Sequence, residues 1–306
     1  MKYLYAFLLP FAIVFCGCDM GMAHLAGRAT EEWTRTYTLK PGGELRITNT
    51  NGKIDVEPSD GTQAVVRAEK IARAATDTGA QELLPRIEIK EDVSPERVFI
   101  QTGRIDGFLI GAGFEVRYHV KAPRGVFVNV ANTNGQIALT DLDGKVTART
   151  TNGGVTGKGL TGGVEARTTN GGVNIDFASV GKDPISAKTT NGGVSISLPQ
   201  NAKADVSATW TNGGIQVSPD LNLEVLEKSR RRLEGRMNGG GAAIELHTTN
   251  GGIRVKPRNL IRHEIQIRPA CGIRAVRAQF RQNQQRGKPL AHRNCQPDYL
   301  IRRWGM

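Results

Sequence analysis

The sequence predicts an all-β fold, a parallel β-solenoid whose coils are about 20 residues long and turn at Asn-Gly corners. Three observations predict it. The hexapeptide T-T-N-G-G-V occurs verbatim at Thr150–Val155, Thr168–Val173 and Thr189–Val194. It returns as W-T-N-G-G-I from Trp210, T-T-N-G-G-I from Thr248, N-T-N-G-K-I from Asn49 and N-T-N-G-Q-I from Asn132. The asparagines Asn134, Asn152, Asn170, Asn191, Asn212 and Asn250 are 18, 18, 21, 21 and 38 residues apart, with Asn51 as an outlying first member. Finally, 37 glycines against 3 tryptophans and 9 phenylalanines suit tight turns over a thin core.

The strands follow from what flanks each corner. Three residues after the Asn stand Ile54, Ile137, Val155, Val173, Val194, Ile215 and Ile253, and four before it stand Ile47, Val130, Ala148, Ala166, Ala187, Ala208 and Leu246. Apolar residues recur again five after it, except at Gly157, and polar ones fall between. That period of two marks half-buried strands, so each unit reads strand, corner, strand. Asn and Gly both tolerate positive φ, which suits them to a corner. The same pair also suits two-residue hairpins, so an antiparallel meander or sandwich is the alternative fold. The Thr that precedes every corner Asn favours the solenoid. Equivalent residues of stacked coils lie about 4.8 Å apart and can form side-chain ladders, whereas in a meander only alternate turns match.

The organisation along the chain follows. Lys2 precedes a 13-residue apolar run, Tyr3 to Phe15, too short to span a membrane and suited to a signal segment. F-C-G-C then resembles a bacterial lipobox, so residues 1–18 read as a lipoprotein-type signal with Cys18 the acylated residue. Ordinary cleavage near Ala23, giving a periplasmic or secreted protein, is the alternative. Residues 19–33 read as a linker, 34–130 as an irregular first half of the β-domain, and 131–256 as the regular repeats. A short helix is expected around Asp77–Leu84, and 221–237 alternates as a protruding hairpin. The formal charge of +12 is misleading, because residues 257–306 hold eleven Lys or Arg against Glu264 and Asp298, leaving +3 for the rest. This tail reads as a disordered basic extension, with a shifted-frame segment and a polyanion-binding tail as the other readings. Cys271 and Cys295 lie in it, and their spacing does not establish a bridge.

The recurring T-x-N-G-G-[VI], the lipoprotein-like leader and L-E-G-R-M-N-G-G-G (Leu233–Gly241) resemble a bacterial family of unknown function. Its members are called β-strand-repeat proteins or candidate adhesins and are grouped with Toastrack-type domains. The resemblance runs from about Thr34 to Lys256. It implies a β-helix-like fold at the cell envelope and supplies no catalytic residues.

Apparent active-site motifs have structural readings. G-K-G-L-T-G (Gly157–Gly162) has the dinucleotide spacing, but another β-unit follows it where a helix is needed. The five histidines lack metal-ligand spacing, and Asp141 and Asp143 suit a turn. No catalytic residue, metal site or cofactor is therefore assigned. Three residues before the corner Asn, Arg149, Arg167 and Lys188 recur on successive units. They read as a solvated face or as a basic stripe for an acidic polysaccharide or anionic lipid, with Trp210 beside them available for sugar stacking. The expected protein is a non-catalytic, exported, membrane-anchored envelope module for adhesion, binding or scaffolding, with an envelope protein as a further candidate partner and no specific nucleic acid. An envelope-stress sensory module is the alternative, and a polysaccharide-active β-helix enzyme comes third.

Overall fold

The computed structural model describes residues 26–103 and 111–258. The chain enters in β1 (Gly27–Thr38), so the strand begins inside the segment expected to be linker. β2 (Glu44–Asn51) and β3 (Ile54–Pro58) meet at the first Asn-Gly corner. β4 (Gln63–Ala74) leads into the short helix α1 (Asp77–Leu83), where the Thr76 hydroxyl caps the Gly79 N–H at 3.1 Å. β5 (Ile89–Val93), β6 (Arg97–Thr102) and β7 (Ala112–Ala122) complete the first half.

Corner units then repeat: β8 (Phe127–Asn134) with β9 (Ile137–Thr140), β10 (Val146–Asn152) with β11 (Val155–Leu160), β12 (Val164–Asn170) with β13 (Val173–Phe177), and β14 (Ile185–Asn191) with β15 (Val194–Leu198). β16 (Ala204–Val217) runs unbroken through its corner, the hairpin β17 (Leu223–Lys228) and β18 (Arg232–Met237) follows, and β19 (Ala242–Pro257) is the last corner unit.

Equivalent strands pair in parallel and in register, Val146 with Val164 and Val155 with Val173, so the repeats are coils of a solenoid and not a meander. Only Thr161–Gly163 separate β11 from β12, so the second strand of a coil must run back along the first. Two strand faces result, and their inward residues share one core: Val146 and Ala148 are buried from one face, Val155 and Leu160 from the other. The missing side chain at Gly157 is accounted for here, because a Cβ there would stand 2.8 Å from Leu160 Cδ1. Leu160 already fills that volume.

The stacking order departs from chain order at both ends. The β2/β3 coil lies between the strands β6 and β7 on one side and the β8/β9 coil on the other. At the far end β19 lies between β14/β15 and β16. The first and last corner units are therefore hydrogen-bonded on both edges, where a terminal coil would otherwise fray. Antiparallel strands cover the ends: β4 on β7, β1 on β4 and β5 on β6 at one end, β18 on β16 and β17 on β18 at the other.

Candidate functional site

The corner asparagines form one column. Asn134 donates its side-chain N–H to the Asn51 Oδ1 at 2.8 Å, Asn152 to Asn134 at 2.8 Å, Asn170 to Asn152 at 2.8 Å and Asn191 to Asn170 at 2.9 Å. Asn250 then donates to Asn191 and Asn212 to Asn250, each at 2.8 Å, following the stacking order. All the donors point the same way along the stack. None of these asparagines has positive φ; the following glycines do, Gly153, Gly171 and Gly192 all lying near +150°. The expectation that both residues supply positive φ is corrected accordingly. Glycine makes the turn, and Asn is there for its amide.

A second ladder lies just inside. Thr150, Thr168, Thr189 and Thr248, two before the Asn, are buried and donate their hydroxyls to the Gly135, Gly153, Gly171 and Gly192 carbonyls at 3.1, 2.8, 2.8 and 2.8 Å. The Thr immediately before the Asn, which marks the motif in sequence, points to solvent at Thr133, Thr151, Thr169 and Thr190. At the first coils the inner position is Asn: Asn132 donates to the Gly52 carbonyl at 2.6 Å and leaves its own buried oxygen without a partner. Asn49 accepts from Thr102 at 2.8 Å, and that hydroxyl also meets Tyr118, whose phenol is pushed up to about 12 by burial.

Arg149, Arg167 and Lys188 are register partners and form the expected row, continued by His247 and Thr209. An adjacent row of carboxylates takes up much of the charge. Arg149 bonds Glu165 at 2.7 Å and Lys188 bonds Glu245 at 2.7 Å. The Arg149 hydrogen bond holds the Glu165 carboxyl below its ordinary range, against a smaller opposing effect of burial. Trp210 belongs to the hydrophobic core and offers no stacking face to a sugar.

Sequence reasoning missed a third column, the second glycine of N-G-G. Gly154, Gly172, Gly193, Gly252 and Gly214 succeed one another along the stack, spanning about 19 Å at the spacing of paired strands. They floor a shallow trough. Over Gly172, Gly193, Gly252 and Gly214 lies an open hollow of about 520 Å³ walled by Asn174, Ser195, Gln216 and Arg254. At the other end the Gln136 side chain reaches Thr156 at 3.1 Å and closes it. The fold does not demand these glycines. Their φ is not positive, and Lys53 and Gln136 occupy the same position in the first two corner coils. A Cβ on Gly172 or Gly252 would come no nearer than 3.5 or 3.7 Å to a neighbouring carbonyl and one on Gly214 would meet nothing, only Gly154 and Gly193 being tighter at 3.2 and 3.3 Å. The signal in the sequence was that substitution, K or Q against five G.

The remaining motifs are structural. Gly162 in the G-K-G-L-T-G stretch packs so tightly that a Cβ would lie 2.2 Å from the Gly144 carbonyl. Asp143 accepts the Gly125 N–H at 2.8 Å, and Asp141 turns the chain with φ of 49°. Among the described residues no three His, Cys, Asp or Glu side chains are grouped to hold a metal ion, and no helix is long and apolar enough to cross a membrane. Cys18, Ala23, Cys271, Cys295 and the tail from 259 onward lie outside the described residues.

Similar solved structures include a candidate cell adhesion protein from Clostridium sporogenes (13% identity, 75% of this chain and 100% of that one, TM-score 0.43). A candidate adhesin from Bacteroides fragilis (11%, 74% and 97%, TM-score 0.27) and a candidate lipid binding protein from Parabacteroides distasonis (11%, 74% and 97%, TM-score 0.24) are further examples. No match was found among curated proteins. The family model described as Toastrack DUF4097 matches residues 40–256, from just after β1 through the last corner unit, and the chain belongs to that family.

Proposed function

We propose that this protein is a non-catalytic binding module of the bacterial cell envelope, tethered to a membrane through an acylated Cys18. Its trough binds a linear acidic polysaccharide laid along the solenoid axis. The observation that carries this reading is the run of five glycines where the fold accepts Lys53 or Gln136. Removing side chains exposes a straight polar floor on which repeating hydroxyls of a polymer meet repeating groups of the protein. Each ladder Asn spends one side-chain N–H on its neighbour and keeps a second, and Ser195, Asn174 and Gln216 add donors and acceptors along the wall. Arg254 supplies the charge that selects an acidic chain. The Arg149 row is the weaker candidate, since Glu165 and Glu245 already neutralise two of its three cations.

Binding to polygalacturonate and to a neutral β-glucan, followed by calorimetry on the full chain, tests the reading. The double variant Gly172→Gln, Gly252→Gln places glutamine side chains, as at Gln136, where the trough lies and should weaken polygalacturonate binding about tenfold or more, with an unchanged melting temperature. The basic tail is present in both proteins, so its contribution cancels. Equal affinity of variant and wild type would remove the trough from consideration.

A further inference from the structure

The two faces of the solenoid end at different places. On the face before the corners, β16 is extended by β18 and then β17. On the other face, the β16 segment from Asn212 to Val217 pairs with β19 on one side and with no strand on the other, among the described residues. In inner coils the residues one and three after the Asn donate their N–H groups to the next coil, as Gly153 does to Asn170 and Val155 to Gly172. The corresponding Gly213 and Ile215 have no coil beyond them. Ile215 and Val217 are half-buried, although their equivalents Val194, Ile196, Ile253 and Val255 are fully buried. Beside them lies an apolar slot of about 460 Å³, lined by Ile215, Val217, Leu223, Val225 and Leu233. Val225 is 50% exposed and Leu226 on the same strand 55%.

We propose that a second copy of this chain fills the slot, the two copies exchanging their β17–β18 hairpins about a two-fold axis along the strands. One face outruns the other by two strands, and the hairpin that causes the mismatch supplies those two strands. Such an axis turns the longer face of one copy onto the shorter face of the other. β17 of each copy, six residues long, then meets the six-residue edge Asn212–Val217 of its partner, running antiparallel to it. Leu223, Val225 and Leu233 of both hairpins pack together over the gap.

The edge Asn212–Val217 is the uncharged member of the proposed pairing. At the opposite end both edge strands are charged, with Arg28, Glu31, Glu32 and Arg35 on β1 and Lys90, Glu91 and Asp92 on β5, whereas here Asn212–Val217 carries no charge and the charges Glu224, Glu227 and Lys228 lie on β17 alone.

Sedimentation of the full chain in detergent, with bound detergent subtracted, should give twice the chain mass, and Val225→Lys should halve it while leaving the melting temperature unchanged. A wild type that stays monomeric at the highest attainable concentration overturns the proposal, as does a Val225→Lys protein that remains dimeric. If that variant fails to fold, amide exchange on the wild type decides. The Ile215 and Val217 amides should exchange more slowly as protein concentration rises, and exchange independent of concentration overturns the pairing.

Discussion

Gly171 and Gly172 are neighbours with opposite tolerances. Gly171 has φ of +153°, and a Cβ there would lie 2.1 Å from the Gly153 carbonyl oxygen, a backbone atom that the ladder holds in place. Replacing it by Ala forces both an unfavourable conformation and a backbone shift, and should cost about 3 kcal/mol or more. At Gly172 the nearest atom to a new Cβ is 3.5 Å away. Gly172→Ala should therefore stay within about 1 kcal/mol of wild type and raise stability if the loss of unfolded-state freedom dominates. Denaturant titration of the two variants checks the contrast, and similar losses in both would mean that the trough glycines are structural after all. The same measurement separates a residue that makes the fold from one that shapes a surface.

Rows of side chains act as units because neighbouring coils hold them in register. Arg149, Arg167 and Lys188 repel one another, and Glu165 and Glu245 lie where they relieve that repulsion. Both pairs are partly exposed to solvent, so their contribution to stability is small. Their effect on binding has a definite sign. The Glu165 carboxyl is held below its ordinary range, so its share of stability is present above the unfolded-state value and is lost as pH falls through the lower folded value. Protonation at that point leaves Arg149 without its partner. If the row contacts a polyanion at all, Glu165→Gln should strengthen binding to a sulfated polymer at neutral pH, and the wild type should approach the variant only on strong acidification. Salt-dependent binding that is the same in both proteins from neutral to acid pH would assign the row to solvation alone.

For the whole molecule, the interleaved ends matter most. The last corner unit in the chain, β19, is flanked by β15 and β16, while β16, which precedes it in sequence, carries the covering hairpin. The C-terminal half is thus closed by non-local pairing, and β16 cannot complete its ladder until β19 has been made. At the other end, the residues that carry the proposed tether precede β1. Cells grown with a fatty-acid analogue should label the wild type at Cys18 and leave Cys18→Ser unlabelled and released from membranes. Equal labelling of the two would remove the lipid anchor and favour cleavage near Ala23.

Much of this was legible in the residues themselves. Alternating burial, the Asn-Gly corner, the helix at Asp77, the 221–237 hairpin and the register of Arg149 with Arg167 and Lys188 all follow from local pattern, because strand facing is set every second residue and a turn by its own φ and ψ. Other features depended on which atoms meet across coils. Alternation puts Thr168 inward with Ala166 and Thr169 outward, but the sequence could not show that the Thr168 hydroxyl reaches the Gly153 carbonyl, or that Glu165 faces Arg149 from the next coil. Nor could it choose the stacking order. Coils built on the same T-N-G-G corner present the same edges, so each fits against any other, and local sequence does not distinguish one neighbour from the next. Only the tertiary structure decides that β19 goes between β15 and β16, because there both its edges are hydrogen-bonded and the β17–β18 hairpin is left on the outermost coil to cover that end.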